Sequence, residues 1–214
     1  MKGIFITGTD TNVGKTYIAC KIAAGLASQK NNVVPRKPVE SGCKLVNNEL
    51  IPDDAVKLKQ ASQSNQTLEN ICPYRFKEAI SPARAAQINN QKLSLKQLTQ
   101  ACTNKITEND FLLVEGAGGF YSPICEQALN ADLAKALNLP VLLVAENRVG
   151  AINQVLLSLQ AIQQYQLNIK AIVLNQISDD VDNLQELSQL THLPIFIFNK
   201  NFNIQNLLSE LYTN

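Results

Sequence analysis

At 214 residues the chain is long enough for one large domain or two small ones, with room for a substantial core. Nineteen Lys and Arg face eighteen Asp and Glu, a formal net charge of +1 with no block of like charges, which argues against a nucleic-acid or membrane partner. Five scattered cysteines and one histidine form no C-x-x-C pair, which excludes a patterned zinc site or disulfide frame and reads as reduced thiols in a cytoplasmic protein.

The first residues already read as a strand, Gly3 to Thr7, so no signal peptide is expected, and no apolar run reaches the roughly 18 to 20 residues of a spanning helix. Gly8-Thr9-Asp10-Thr11-Asn12-Val13-Gly14-Lys15-Thr16 follows, and Lys15 to Lys30 has helical apolar spacing. Strand, loop and helix in this order make a phosphate-binding loop. Backbone N–H groups of the loop and the helix start converge on phosphate oxygens, Lys15 adds a charge, and the Thr16 hydroxyl suits Mg²⁺. The spacing is a variant, with Gly8 and Thr9 where the usual pattern has a glycine at the later position.

The next predicted strand, Val33 to Lys37, leads into Pro38-Val39-Glu40-Ser41-Gly42 and places Lys37 at a strand exit on the same rim. Residues 43 to 93 are polar, carry Pro52, Pro73 and Pro82, and read as short helices and loops beside the site. Within them, Pro52-Asp53-Asp54 opens a helical stretch, where the acids either complement the helix dipole or supply a carboxylate to Mg²⁺.

Ser94 to Asn109 reads as a helix, and Phe111 to Val114 as a buried strand ending in Glu115-Gly116-Ala117-Gly118-Gly119, an acid followed by a flexible glycine loop. Thr16, Asp54 and Glu115 together suit an ion that takes one or two carboxylates. The remainder alternates: helix Asn130 to Leu137, strand Val141 to Ala145, helix Ala151 to Gln166, strand Ala171 to Leu174, helix Asp180 to Leu190 and strand Ile195 to Phe198. Gly150, Ala151, Ile152 and Asn153 open a helix whose N–H groups either hold a carboxylate or only initiate the helix. Asn175 and Gln176 close a strand, as turn residues or as amides that read a base edge. His192 reads as structural.

Nearly continuous apolar strands alternating with helices predict a single α/β domain over residues 1 to 214, P-loop NTPase-like, with a mostly parallel sheet covered by helices on both faces. The predicted nucleotide-binding set is Asn12, Val13, Gly14, Lys15, Thr16, Tyr17, Asp54, Glu115, Gly116, Ala117, Gly118, Asn175 and Gln176.

The ordered combination of Gly8 to Thr16, Lys37-Pro38-Val39-Glu40-Ser41-Gly42, Ser81-Pro82, Val114-Glu115-Gly116-Ala117-Gly118-Gly119 and Leu139-Pro140-Val141 resembles the ATP-dependent dethiobiotin synthetases. The resemblance implies a ligase acting on 7,8-diaminononanoate, CO₂ and ATP with Mg²⁺, through a carbamate and a carbamic-phosphoric anhydride, in a homodimer. It assigns charge stabilisation to Lys15 and Lys37, phosphate contact to Thr11, diamine contact to Ser41, metal binding to Thr16, Asp54 and Glu115, and the substrate carboxylate to Gly150 through Asn153. Four positions depart from the family pattern: Asn12 and Gln176 stand where acids are common, Ala83 where a histidine is frequent, and Phe198 to Phe202 lacks a Gly-x-x-Pro segment. A nucleotide-switched partitioning or regulatory ATPase of related fold is the alternative. Such switches commonly carry a lysine near the position of Asp10, which counts against it.

Overall fold

The computed structural model describes residues 1–177 and 182–212. The chain opens with β1 (Lys2–Gly8), α1 (Lys15–Ser28), β2 (Asn32–Arg36) and β3 (Val39–Glu40), then a hairpin of β4 (Lys44–Val46) and β5 (Glu49–Ile51). Next come α2 (Asp53–Ala61), α3 (Leu68–Ile71), β6 (Tyr74–Arg75), α4 (Pro82–Ile88), α5 (Leu95–Thr103) and β7 (Asp110–Gly119). A second small hairpin, β8 (Pro123–Cys125) and β9 (Ala128–Leu129), leads to α6 (Asn130–Leu137), β10 (Val141–Glu146), α7 (Ala151–Gln164) and β11 (Ile169–Asn175). The chain ends with α8 (Leu184–Leu190), β12 (Ile195–Phe198) and α9 (Ile204–Tyr212).

Six strands form one sheet in the order β12-β11-β10-β1-β7-β2, all paired in parallel. Strand side chains alternate between two cores. Ile4, Ile6, Leu113, Leu142 and Val144 pack against Ile18, Ile22 and Leu26 of α1 and Leu207 and Leu208 of α9. Phe5, Leu112, Val114, Leu143 and Ile172 face the opposite core with Leu98 of α5, Leu133 of α6 and Val155 of α7. Burial on both faces explains the continuous apolar runs. After β1 the chain builds β2 and β7 on one side and then β10, β11 and β12 on the other. The crevice where the order reverses lies at the carboxyl end of β1, where ligands bind in open α/β sheets.

Several predicted boundaries move. The helix expected to reach Asn109 stops at Thr103, because Asn104 is extended and Lys105 adopts a φ of 57°. Its start is firm: Ser94 and Gln97 form a reciprocal capping box. The β4–β5 hairpin appears where only helices and loops are expected; Asn47 and Asn48, with φ of 50° and 63°, make the turn. The helix predicted from Asp180 begins at Leu184, and positions 180 and 181 lie outside the described residues. Among the described residues, no helix is long and apolar enough to cross a membrane.

The five cysteines are free. Burial pushes the thiols of Cys20, Cys43 and Cys125 up to about 11 and that of Cys102 to about 12. A thiol of pKa 11 is thiolate to about one part in a thousand at pH 8. Native protein at pH 8 is therefore expected to react with a disulfide reagent at least tenfold more slowly than protein unfolded in guanidinium. Rapid native labelling of four thiols would contradict the burial described.

Candidate active site

The phosphate loop connects β1 to α1 and is shaped by two glycines. Gly14 sits at a φ of 97°, and a Cβ there would overlap the amide nitrogen of Asn175. At Gly8 a Cβ would lie 2.7 Å from Val13 Cγ2 and 3.1 Å from Lys15 Cδ, so the loop folds over position 8. That packing explains why the variant spacing puts its glycine at position 8. No side chain caps α1. Its first N–H groups open toward the loop, a setting suited to an anion.

Three strand ends bring the charged groups together. Lys37, one residue past β2, is 4% exposed, and its Nζ lies 2.6 Å from Glu115 Oε1, 3.0 Å from Asp54 Oδ2 and 3.2 Å from Gly116 O. Thr16 Oγ1 donates to Glu115 Oε1 at 2.8 Å, and Lys15 Nζ donates to Asp10 O at 2.7 Å. Burial alone would lower the Lys37 pKa, but the carboxylates of Glu115 and Asp54 outweigh it and hold the ammonium above its usual range. Lys15 goes the other way: burial and the nearby Lys37 charge bring it down to about 8. Burial favours the neutral acid of Asp54, yet Lys37 and Thr16 hold that carboxyl below its usual value. Burial and the adjacent Asp54 push Glu40 up to about 7.

A cavity of about 370 Å³ joins the two walls, lined by Thr11, Lys15, Thr16, Lys37, Ser41 and Asp54 among others. Asn12, Gly14, Tyr17, Glu115, Ala117 and Gly118 also border it. Val13 is buried beneath the loop, and Asn175 stands behind it, donating from Nδ2 to Val13 O at 3.1 Å. Gln176 donates its backbone N–H to Phe198 O at 2.9 Å, beside the edge-to-face pair of Tyr17 and Phe198. Gly150 through Asn153 stand apart, at the start of α7 beyond β10, where Gly150 has a φ of 85°. His192 is exposed on the turn before β12.

The donors fit a hard divalent cation. Glu115 Oε2 is buried with no hydrogen-bond partner, although its carboxyl carries two bonds on the other oxygen. An orphaned buried carboxylate oxygen beside a threonine hydroxyl and Asp54 suits an ion that keeps several waters. Among the described residues no three His, Cys, Asp or Glu side chains cluster as a metal cage.

Two supporting residues escaped the sequence reading. Glu40 receives two backbone N–H bonds from α2. Asn130, fully buried at the start of α6, donates from Nδ2 to Ala117 O, Gly119 O and Ser122 O at 2.6, 3.1 and 3.2 Å, and accepts from Ala117 N at 3.0 Å. These bonds correct the expectation of a flexible glycine loop, because residues 115–119 continue β7 and are held by Asn130, by Ser122 Oγ accepting from Gly119 N at 2.9 Å and by Lys37 Nζ donating to Gly116 O. Asn130→Ala would remove both bonds to Ala117, while Gly119 O keeps Ser122 N and Ser122 O keeps the backbone N–H of residue 130, an expected loss of about 1 to 3 kcal/mol in chemical denaturation. A loss below about 0.5 kcal/mol would show that the loop holds itself.

Sheet order, phosphate loop and paired lysines define a P-loop nucleotide-dependent enzyme. A family model described as an AAA domain matches residues 2–197. ATP-dependent dethiobiotin synthetase BioD of Vesicomyosocius okutanii is 45% identical over 202 residues, covering 94% of this chain and 91% of the relative. Its counterpart from Anaeromyxobacter dehalogenans strain 2CP-C is 39% identical over 197 residues, 90% of this chain and 86% of the relative. The chain belongs to the ATP-dependent dethiobiotin synthetase family, a family of ATP-dependent ligases. The MinC:MinD cell division protein complex of Aquifex aeolicus aligns with a TM-score of 0.59 at 13% identity, covering 99% of this chain and 86% of that chain, and shows the shared fold.

Proposed function

We propose that this enzyme closes the ureido ring of dethiobiotin from 7,8-diaminononanoate, CO₂ and ATP. One amine of the diamine adds to CO₂ and loses a proton, giving a carbamate. A carbamate oxygen attacks the γ-phosphorus of ATP, the bond to the bridging oxygen breaks, and ADP leaves. The second amine then attacks the activated carbonyl carbon, and phosphate departs as the ring closes. The observation that carries this reading is the convergence of Lys15 and Lys37 with Thr16, Asp54 and Glu115 around one cavity at neighbouring strand exits.

Each residue has a task in this scheme. The loop N–H groups and Lys15 bind the phosphates, and Thr11 contacts them from the cavity wall. Lys37 stands between the carboxylates and the reacting centre, where it stabilises carbamate and γ-phosphoryl charge. Ser41 orients the diamine. Thr16, Asp54 and Glu115 would hold Mg²⁺, which when bound neutralises charge on the phosphate oxygens. The nucleoside would extend to the β11 and β12 side, away from Lys37, toward Asn175, Gln176 and Tyr17. Catalysis is then positioning and charge stabilisation, with no protein nucleophile.

The substrate carboxylate is assigned to Gly150, Ala151, Ile152 and Asn153 of a second copy in a homodimer. Exposed apolar side chains, Val149 at 79% just before that helix and Leu157 at 59% midway along it, support an interface there. The unpaired cysteines support a cytoplasmic setting. The test is phosphate release with ATP, Mg²⁺ and bicarbonate, with and without 7,8-diaminononanoate. Diamine-dependent release and formation of dethiobiotin are expected; release indifferent to the diamine would overturn the reading.

A further inference from the structure

Helix α2 starts without a cap of its own. Its N-cap is Pro52, which has no side-chain acceptor, and Asp53 Oδ2 is turned outward to Lys44 Nζ at 3.0 Å. The first-turn amides are met from β3 instead. Glu40, 6% exposed, accepts Asp54 N on Oε1 at 3.0 Å and Ala55 N on Oε2 at 3.2 Å. Glu40 itself borders the cavity, next to Ser41 and three positions after Lys37. One carboxylate therefore fastens the backbone of Asp54 to the segment that carries Lys37 and Ser41.

This arrangement has an electrostatic cost, because it sets a second carboxylate beside Asp54 in a largely buried position. Two bonds from helix N-terminal amides offset part of that cost. A neutral cap would relieve the repulsion and hold the helix start, but no side chain of the 52–55 segment supplies one. What Glu40 adds is a tie to the backbone of α2, beside the side-chain pair of Lys37 and Asp54.

We propose that Glu40 is a positioning residue for this site: it locks the first turn of α2 so that the Asp54 carboxylate is presented to Lys37 and to the divalent cation. The inference rests on the assignment of Asp54 as a metal ligand. The experiment measures binding, not turnover: affinity for a fluorescent ADP analogue across a Mg²⁺ titration, with amide exchange of residues 53–58 in the metal-free protein. Glu40→Ala is expected to raise the Mg²⁺ midpoint about tenfold, the lower end of what losing a supporting partner costs. Faster exchange of the first turn should accompany it. Glu40→Gln, which keeps acceptor oxygen and shape, is expected to shift the midpoint less and serves if the alanine variant does not fold. In an Asp54→Asn background, Glu40→Ala should leave the midpoint where Asp54→Asn alone puts it.

An equal shift in both backgrounds overturns the inference, as does an unmoved midpoint with faster exchange, which would leave Glu40 a helix cap only. If Asp54→Asn shifts the midpoint and Glu40→Ala does not, the metal assignment stands and the positioning role falls. If Asp54→Asn itself moves nothing, the metal assignment fails and this inference with it.

Discussion

Lys37→Ala is expected to lower diamine-dependent phosphate release by two to three orders of magnitude, roughly what losing one well-placed charge costs in a water-poor site. Its Nζ is nearly buried and touches both carboxylates, at 2.6 Å from Glu115 and 3.0 Å from Asp54. The same contacts give the residue a structural share. Removing it leaves Glu115 fully buried opposite Asp54 with no intervening cation, at an expected cost of about 3 kcal/mol. That figure sits at the low end for a broken buried pair because the Asp54 side chain is 30% exposed. The two effects separate in one comparison. If the loss is chemical, Lys37→Ala stays inactive at a temperature and Mg²⁺ concentration where circular dichroism shows it folded. If the loss is structural, activity returns with stability. Near-normal turnover in the folded variant would remove Lys37 from the reaction.

The sequence made the phosphate loop legible because strand, loop and helix are contiguous, so local pattern and tertiary placement coincide. Lys37 and Glu115 were legible for a related reason: each follows a strand rich in buried residues, 33–36 and 111–114, and parallel strands deliver their ends to one rim. Glu40 and Asn130 were not. Glu40 acts on amides 14 and 15 positions away, and Asn130 on carbonyls 8 to 13 positions back, across connections whose paths no periodicity reveals. Glu40 stood inside the Lys37–Gly42 motif and drew no role, since an isolated acid there has no visible partner. The nearest available signal was Pro52, a helix start that must borrow its cap. The loop after Glu115 read as flexible because glycines permit many conformations, and side chains from elsewhere, chiefly the buried Asn130 amide, select one.

Gly14→Ala is expected to weaken ATP binding at least tenfold and to cost about 3 kcal/mol of stability, through two separable terms. A φ of 97° lies beyond the left-handed region an alanine tolerates, worth roughly 1 to 2 kcal/mol. The added methyl also displaces the Asn175 amide, breaking its bond to Val13 O, worth about 1 kcal/mol and more if a buried carbonyl is stranded. Asn175 is itself 7% exposed at the end of a central strand and has little room to turn away. A double-mutant cycle with Asn175→Ala isolates the second term, since that variant removes the overlap and the bond together while the backbone strain persists. The expected pattern is non-additive, with Gly14→Ala costing about 1 to 2 kcal/mol less in the Asn175→Ala background. Full additivity in urea unfolding would mean that Asn175 moves freely and that backbone strain alone decides position 14. Nucleotide affinity should follow the strain, because the N–H groups after Gly14 are aimed by its backbone. It should therefore stay weak in the double variant, although Gly14→Ala costs less stability in that background.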